Sequence, residues 1–522
     1  MSMVNHTKII LGVAALLLCL VIATGSAAAG EYLLADPKGP HRVDYLVVAG
    51  EPFADKLDAL CDHRAGQGYR VGIVRMPDVA AEFDSLRAFL HHAVTRWEPP
   101  APKYLLLVGD VDTVPTVVAP GALRGWMSCP DLATDFDYAR PSGGPIQLHV
   151  GRFPSRTPAE LERMVRKTLD YEANLPGGGW QRRLKFVAGV GGYGEAIDRM
   201  LEDIAESMIA TSVPPVFDIR AAHASPTSPF CPYPPGFNEH AVEMFNRGSL
   251  LYMYVGHGSP TGVDDIRWRG RAYPVLRAAD SDKLAIREGL PIMTVIACHT
   301  GAFDGDEDSL GERFVKAARG PVAFIGGSRV TQPYANALFA EAFVGAFFGG
   351  PETLGEALSQ AKSTVIAHAF SFRRMQIDAM GGAVQGRENL PKMRQDVVRQ
   401  YNLLGDPALV IRRPALDIEL EVRDGELHVA APHLETVELT LEYDRITHRR
   451  MLPEQVPDPA ALEEQMTERY RRAHDTLLRR WEIALNDGAG STPFVAPERP
   501  GRYILKAARG PSSGFLVIDI PE

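Results

Sequence analysis

The sequence predicts an α/β protein: two doubly wound, mainly parallel sheet units, followed by a small β-sandwich with a helical insertion. Short, continuously apolar strands such as Tyr104–Gly109 alternate with helical segments as far as residue 413. That alternation is typical of parallel sheets covered by helices on both faces. From Pro414 onward, alternating or β-branched segments separated by turns replace this pattern, as expected of a sandwich.

Each element follows from its local periodicity. In the first unit, strands are predicted at 44–49, 69–76, 104–109 and 147–152, and helices at 53–64, 84–97 and 158–172. The second unit has predicted strands at 184–190, 216–221, 250–255, 291–297, 321–325 and 408–411, and helices at 195–210, 237–246, 309–318 and within 336–370. The sandwich has predicted strands at 417–422, 426–430, 436–443, 501–507 and 515–520, interrupted by a helix over 459–485.

The N-terminus has the three parts of a secretory signal peptide. Lys8 precedes an apolar stretch, Ile9 to Ala23, and Ala27-Ala28-Ala29 offers a small-x-small cleavage site. We therefore expect residues 1–29 to be removed and the mature chain to be secreted, periplasmic or at the cell surface. An uncleaved membrane anchor is the alternative, although the apolar stretch is shorter than the ~20 residues that span a bilayer.

The predicted domains are 1–29 (signal peptide), 30–182 (first α/β unit), 183–413 (second α/β unit) and 414–522 (C-terminal sandwich). The formal net charge is −10 and no long basic run occurs, which argues against a nucleic-acid partner. No second apolar span of membrane length follows the leader, so no transmembrane segment is expected after its removal. The cysteines are scattered without a C-x-x-C pair, which argues against a thiolate zinc site.

Two predicted strands of the second unit end in residues that can carry chemistry. The strand at 250–255 leads into Gly256-His257-Gly258, and the strand at 291–297 leads into Cys298. In open parallel sheets ligands bind at the carboxyl ends of strands, so His257 and Cys298 can face one crevice. A thiolate attacks a carbonyl and an imidazole protonates the departing amine, which makes the pair a candidate peptidase dyad. The neighbouring His299 is predicted to be a loop residue.

These segments resemble the gingipain family of cysteine peptidases. The similarity extends over residues 40 to 413 and recurs in family order. The segments that carry it are Leu105–Asp110 with Val114-Pro115, Val150–Pro154, Tyr254–Ser259, Ile296–Gly301, Ser309–Phe314, Gly320–Gly326 and Asn402–Pro407. The resemblance implies two caspase-like subdomains, an immunoglobulin-like C-terminal domain, and a protein or peptide substrate. It also implies that Cys298 is the nucleophile, that His257 is the general acid/base, and that the backbone of Gly258 and Cys298 supplies oxyanion donors.

The resemblance also suggests a specificity residue. In the family, an aspartate of the first subdomain can hold a basic side chain before the scissile bond, and the segment Ala133–Tyr138 is similar to the one that supplies it. Asp135 is the candidate and Asp137 the second choice, since a carboxylate in such a site favours a guanidinium or ammonium group. A turn-capping role for Asp135 is the competing interpretation.

Other interpretations stay open at this level. Gly189-Val-Gly191-Gly-Tyr-Gly194 satisfies G-x-G-x-x-G, with Asp218 following, so a dinucleotide-dependent oxidoreductase is the alternative enzyme class. A transpeptidase or sorting variant of the peptidase, and a non-catalytic binding protein on the same scaffold, are further possibilities. No cofactor is expected for the peptidase, although the acidic loop Asp304–Asp308 leaves room for a structural calcium ion without matching the EF-hand template.

Overall fold

The computed structural model describes residues 31–124, 128–173, 178–192, 209, 211–452 and 462–521. The predicted signal peptide, and the predicted helix at 195–210 except for Ile209, lie outside these residues. Within the described part of the chain, no helix combines the length and apolar composition needed to cross a membrane. Within these residues Cys61, Cys129, Cys231 and Cys298 form no disulfide.

One ten-stranded sheet forms the centre of the α/β region. Its strands are β1 (Tyr45–Ala49), β2 (Val71–Arg75), β3 (Tyr104–Val108), β4 (His149–Phe153), β5 (Arg183–Ala188), β6 (Asp218–His223), β7 (Leu251–Val255), β8 (Ile292–Ile296), β9 (Ala323–Gly327) and β10 (Tyr401–Leu404). Their spatial order is β2-β1-β3-β4-β10-β9-β8-β7-β5-β6. The α/β class predicted from the strand pattern is confirmed.

Strand β10 joins two parallel halves of opposite direction. It runs antiparallel to β9, with Phe324 opposite Leu404, and parallel to β4, with Leu404 opposite Arg152. All other neighbouring pairs in the sheet are parallel. Strands of both predicted α/β units therefore pair into a single sheet, and the last strand of the second unit lies between the two halves.

Helices cover both faces of this sheet. They are α1 (Asp58–Gly66), α2 (Met76–Glu82), α3 (Leu86–Arg96), α4 (Pro158–Ala173), α5 (Phe237–Asn246), α6 (Leu310–Lys316), α7 (Pro333–Gly349), α8 (Leu354–Ala367), α9 (Phe372–Gln385) and α10 (Leu390–Gln400). Alternate strand residues enter different cores: Val47 packs in one and Val48 in another. This alternation follows from the two-residue period of a strand and explains why whole strands are apolar.

A buried ion cluster fixes the loop that follows β10. Arg64 is fully buried, and its guanidinium donates to Glu172 Oε2 at 2.7 Å and to Asp406 Oδ2 at 2.8 Å. Burial opposes ionisation of Glu172, but hydrogen bonds from His63 and Arg64 lower its pKa to about 2. Removing one partner of such a cluster leaves an uncompensated buried charge. The cluster thus holds α1, α4 and the end of β10 together.

The C-terminal region consists of two mainly antiparallel sheets with one shared core. The strands are β11 (Glu419–Arg423), β12 (Glu426–Ala430), β13 (Thr436–Tyr443), β14 (Leu477–Ala484), β15 (Ala489–Pro493), β16 (Gly501–Arg509) and β17 (Ser512–Ile520), and the helices are α11 (Arg445–Met451) and α12 (Leu462–Ala473). A two-residue strand, Ala415–Leu416, pairs in parallel with β17 and completes the five-stranded sheet. Leu427 of the three-stranded sheet and Leu439 of the five-stranded sheet pack in one cluster, as in a sandwich. The immunoglobulin-like assignment stays a prediction.

Three element predictions were wrong. The helix expected over 459–485 is only α12, followed by β14, because residues 477–484 pair with β13 and this pairing overrides their local helical pattern. The strand expected at 408–411 is not formed; β10 lies at Tyr401–Leu404 instead. Helices α9 and α10 occupy a stretch for which no element was predicted.

Candidate active site

The pairing of β7 with β8 brings the two predicted catalytic loops side by side. Val255 lies opposite Ile296 in parallel register, and the Gly256 amide donates to the Ile296 carbonyl at 3.2 Å. His257 and Cys298 each stand two residues beyond this registered pair. Adjacent strands are separated by about 4.8 Å. The two residues therefore follow the carboxyl ends of neighbouring strands at equivalent positions along the strand direction. The structure brings together the pair singled out in the sequence.

The Cys298 side chain contacts the segment that leads into a long helix. Its side chain is partly exposed, and its sulfur accepts a hydrogen bond from the Thr331 amide at 3.3 Å. Thr331 is two residues before α7, a helix of 17 residues that begins at Pro333. The Thr331 amide therefore holds the Cys298 sulfur close to the start of α7. Thr331 in turn accepts a hydrogen bond on Oγ1 from Asn336 at 2.8 Å, which fixes its side chain.

His257 is held through its ring and its backbone. Its side chain is exposed, and Nε2 lies 2.8 Å from the Gly191 carbonyl oxygen. A carbonyl only accepts, so Nε2 carries the proton and Nδ1 is the basic nitrogen of the neutral ring. The Gly191 carbonyl therefore selects the tautomer that can take a proton from a thiol through Nδ1.

Asp264 connects the histidine loop to the strand beside it. Its Oδ2 atom accepts hydrogen bonds from the Tyr254 hydroxyl at 2.5 Å, the His257 amide at 3.0 Å and the Val190 amide at 3.0 Å. Burial raises the pKa of Asp264 above its usual value, while the hydrogen bond from Tyr254 opposes that shift. Asp264 thus positions the backbone of His257 and the segment that carries the Gly191 carbonyl.

Gly258 and Gly189 stand where no larger residue fits. A Cβ atom at Gly258 would lie 2.7 Å from the Cys298 carbonyl oxygen and 2.6 Å from Thr300 Cγ2. A Cβ atom at Gly189 would lie 2.0 Å from Asp264 Oδ2. These glycines therefore permit close approach of the three loops that follow β5, β7 and β8.

His299 lies in the loop after β8 with an unusual backbone conformation. Its φ of 57° is left-handed, and its amide donates to the Arg329 carbonyl at 3.1 Å. Burial, reinforced by Arg329, lowers the pKa of His299, which disfavours its protonated form. His299 is a loop residue, as predicted.

Asp135 is buried and paired with an arginine of the protein itself. Asp135 is only 4% exposed, and Arg152, which is completely buried, donates to both of its carboxylate oxygens, at 2.7 and 2.9 Å. Thr116 donates to the same carboxylate at 2.9 Å. Asp137 is paired with Arg399 at 3.0 Å. The substrate-binding role of Asp135 stays a prediction, and these contacts give the residue a structural role.

Two acids of the loop that follows Cys298 are paired with basic side chains. Asp304 forms a bidentate ion pair with Arg329, with N–O distances of 2.7 and 2.5 Å. Asp308 pairs with Lys316 at 2.6 Å. Over the described ranges, no group of three or more His, Cys, Asp or Glu side chains converges as metal ligands would. Calcium at this loop stays an expectation from the sequence.

The glycine motif at 189–194 contributes to the same site. Gly189 lies against the Asp264 carboxylate, and the Gly191 carbonyl accepts from His257. Tyr193 and Gly194 lie outside the described residues. Asp218 is the first residue of β6, so it lies roughly 16 Å along the strand from the carboxyl end where a ribose would bind. Its carboxylate instead accepts from Lys506 at 2.8 Å. This arrangement does not support the dinucleotide alternative.

Thr331 and Asp264 are site residues that the sequence analysis missed. Asp264 reaches a residue 74 positions earlier in the chain, and Thr331 lies 33 positions after Cys298. Such contacts have no periodic signature. The only local signal is the position of Asp264 shortly after the histidine motif and of Thr331 before the proline that starts α7.

The family described as Peptidase family C25 matches residues 38–412. Gingipain R2 of Porphyromonas gingivalis strain W83 is 21% identical over 378 residues, covering 70% of this chain and 46% of that protein. Gingipain R1 of Porphyromonas gingivalis is 22% identical over 395 residues, covering 73% of this chain and 35% of that protein. The chain thus spans less than half the length of these relatives.

Solved structures share the fold. The crystal structure of the Arg-specific cysteine proteinase gingipain R aligns with a TM-score of 0.55 and 16% identity, covering 94% of this chain and 99% of that one. A complex of the pro- and mature domains of Porphyromonas gingivalis RgpB aligns with a TM-score of 0.52 and 16% identity, covering 91% and 99%. The caspase-like α/β fold implied by the sequence resemblance is confirmed.

The contacts of Asp264 generate the first prediction. Asp264→Ala removes the acceptor for two amides and one hydroxyl, each bond being worth roughly 1–3 kcal/mol, so kcat/KM on a peptide substrate should fall about tenfold to a hundredfold. Asp264→Asn keeps an acceptor and should recover most of the loss. The control is Asp265→Ala, since Asp265 is exposed and pairs with Arg277. Equal kcat/KM values for Asp264→Ala and Asp265→Ala would contradict the positioning role.

The burial of the Asp135 pair generates the second prediction. Asp135→Asn leaves the charge of Arg152 uncompensated in the interior, so urea unfolding should show a loss of about 3–5 kcal/mol in the free energy of unfolding. Asp137→Asn is the matched control and should lose less, because the Arg399 partner of Asp137 is partly exposed. An unchanged unfolding curve, with activity lost only toward Arg and Lys substrates, would instead assign Asp135 to substrate recognition.

Proposed function

The chain belongs to peptidase family C25, and we propose that it is a cysteine endopeptidase with Cys298 as nucleophile and His257 as general acid and base. The observation that carries the proposal is the parallel register of β7 and β8, which supports a thiol and an imidazole acting on one bond. The substrate is a protein or peptide. Hydrolysis is the proposed reaction.

The proposed reaction begins with proton transfer from the Cys298 thiol to Nδ1 of His257. The sulfur then forms a bond to the carbonyl carbon, and the carbonyl electrons move to oxygen. The C–N bond breaks as the imidazolium gives its proton to the departing amine, which leaves a thioester on Cys298. Water, deprotonated by His257, hydrolyses the thioester and restores the thiol. If an amine replaces water, the same steps give transpeptidation.

The backbone amides of Gly258 and Cys298 are the proposed donors to the oxyanion. The close approach of Gly258 to the Cys298 carbonyl and to Thr300 supports this assignment, because it brings the backbone of both loops to the reacting centre. No cofactor takes part in these steps. A calcium ion at the loop 304–308 would have a structural role.

A preference for a basic residue before the scissile bond is the finer part of the proposal. It rests on the resemblance to gingipains and on the Arg specificity of gingipain R, the cysteine proteinase whose solved structure shares this fold. Asp135 is the residue proposed to supply it. Because Arg152 engages both of its carboxylate oxygens, a substrate cation would have to share Asp135 with Arg152.

Export is proposed from the sequence of the first 29 residues. A signal peptidase would cut after Ala29, so N-terminal sequencing of the exported protein should begin at Gly30. Recovery of a chain that begins at Met1 or Ser2 in the membrane fraction would show that the segment is kept as an anchor.

The dyad is tested by single and double substitution. Cys298→Ala and His257→Ala should each lower kcat on a peptide substrate by at least about a thousandfold, and the double variant should lose little more, because the two residues act as one unit. Circular dichroism should show all three variants folded. His299→Ala is the matched control and should keep most of the activity. Full activity in Cys298→Ala would contradict the proposal.

A further inference from the structure

A deep cleft lies between the β6 edge of the central sheet and the C-terminal sheet. Its volume is about 730 Å³, within the roughly 300–1,000 Å³ typical of small-molecule sites. The walls come from β5 and β6 on one side and from β13, β16 and the α11 segment on the other. It lies outside the candidate active site, and the peptidase reaction does not use it.

Lys185 is buried in this cleft without a partner. It is 4% exposed, and among the described residues no carboxylate or carbonyl accepts a hydrogen bond from its ammonium group. Burial, and then the guanidinium groups of Arg183, Arg220 and Arg247, lower the pKa of Lys185 to about 8. A buried charge of this kind is costly unless an anion compensates it.

The strand register places a second cation directly beside Lys185. Lys185 lies opposite Arg220 in the parallel pairing of β5 with β6, so both side chains leave the same face about 4.8 Å apart. Like charges in directly opposite positions destabilise a sheet. Arg445 lines the same cleft from the C-terminal side, and burial lowers its pKa to about 10.

The acids of the cleft are already engaged. Lys506 pairs with Asp218 at 2.8 Å and with Glu442 at 3.0 Å. The remaining acids also have partners: Glu438 pairs with Arg480, Asp475 with Arg471, and Asp444 caps α11 by accepting from the Ile446 amide. In the part of the chain that the structure describes, five lining cations form no ion pair: Arg182, Arg183, Lys185, Arg220 and Arg445. The cleft thus holds a surplus of positive charge although the whole chain is acidic.

We propose that this cleft binds a compact oxyanion carrying two or more negative charges, with Lys185, Arg220 and Arg445 as its ligands. A guanidinium fork matches the oxygens of a phosphate or carboxylate group, and a buried ammonium adds a point charge. One negative charge would leave most of the surplus uncompensated. The depth of Lys185 limits the ligand to a small molecule. Because the ligand touches both sheets, it stabilises the contact between the α/β region and the C-terminal region.

The test is a thermal melt of the full mature chain with increasing pyrophosphate or citrate. Sodium chloride at equal ionic strength and monovalent acetate are the controls. A saturable rise in Tm is expected for the multivalent anions and not for the controls, since a ligand that binds only the folded state stabilises it. The tighter of the two anions identifies phosphoryl or carboxylate chemistry.

Two variants locate the site. Arg220→Gln and Lys185→Met should each weaken binding about tenfold to a hundredfold, which corresponds to one lost charge-assisted hydrogen bond. Lys185→Met should not lower the Tm of the anion-free protein, because it removes an uncompensated buried charge. Arg42→Gln is the matched control, as Arg42 is exposed and pairs with Glu98 in the other half of the protein.

Two outcomes would overturn the proposal. One is a Tm shift no larger than that with sodium chloride or acetate. The other is an equal shift in wild type, Arg220→Gln and Lys185→Met. If Lys185→Met fails to fold, the exposed Arg220 decides the question alone, because its replacement disturbs no core contact. Loss of peptidase activity plays no part in either outcome, so this site and the proposed function fail independently.

Discussion

The parallel pairing of β7 with β8 is the constraint on which the candidate site depends. Each strand is buried along most of its length and stays in register through five residue pairs, so the chain has no freedom in where it leaves the sheet. A shift of one residue would turn every side chain of the shifted strand to the opposite face and disrupt its packing against the helices. The positions of His257 and Cys298 relative to each other are therefore set by packing of the whole α/β core. The proposed chemistry uses this geometry, which the fold already requires.

Around this pairing, the site is assembled from main-chain groups held by a few side chains. Asp264 accepts hydrogen bonds from the amides of Val190 and His257, and the Gly191 carbonyl orients the imidazole. On the other side, the Thr331 amide and the start of α7 face the sulfur. Main-chain donors of this kind are fixed by secondary structure and need little reorganisation during a reaction. This explains why glycine is needed where the loops approach each other most closely.

The sequence was informative where structure is local and uninformative where it is not. The buried strands around His257 and Cys298 are continuous apolar runs that end in polar residues, and their type and order were predicted correctly. Helices α9 and α10 and the position of β10 were missed because they depend on packing against distant elements. Residues 477–484 have a helical pattern and become β14 only because β13 offers a partner. Likewise, the pairing of Asp135 with Arg152 links residues 17 positions apart through a buried contact that no spacing rule describes.

The most direct test of the account is to identify which cysteine reacts with a peptide-based, thiol-directed inhibitor. The described part of the chain contains four cysteines that form no disulfide, three of them buried and only Cys298 partly exposed. Mass spectrometry of the labelled protein should find one inhibitor per chain, attached to Cys298, and labelling should slow strongly in His257→Ala because the imidazole no longer accepts the thiol proton. Labelling distributed over the cysteines, or labelling of Cys298 at the same rate without His257, would contradict the proposal that these two residues form a catalytic pair.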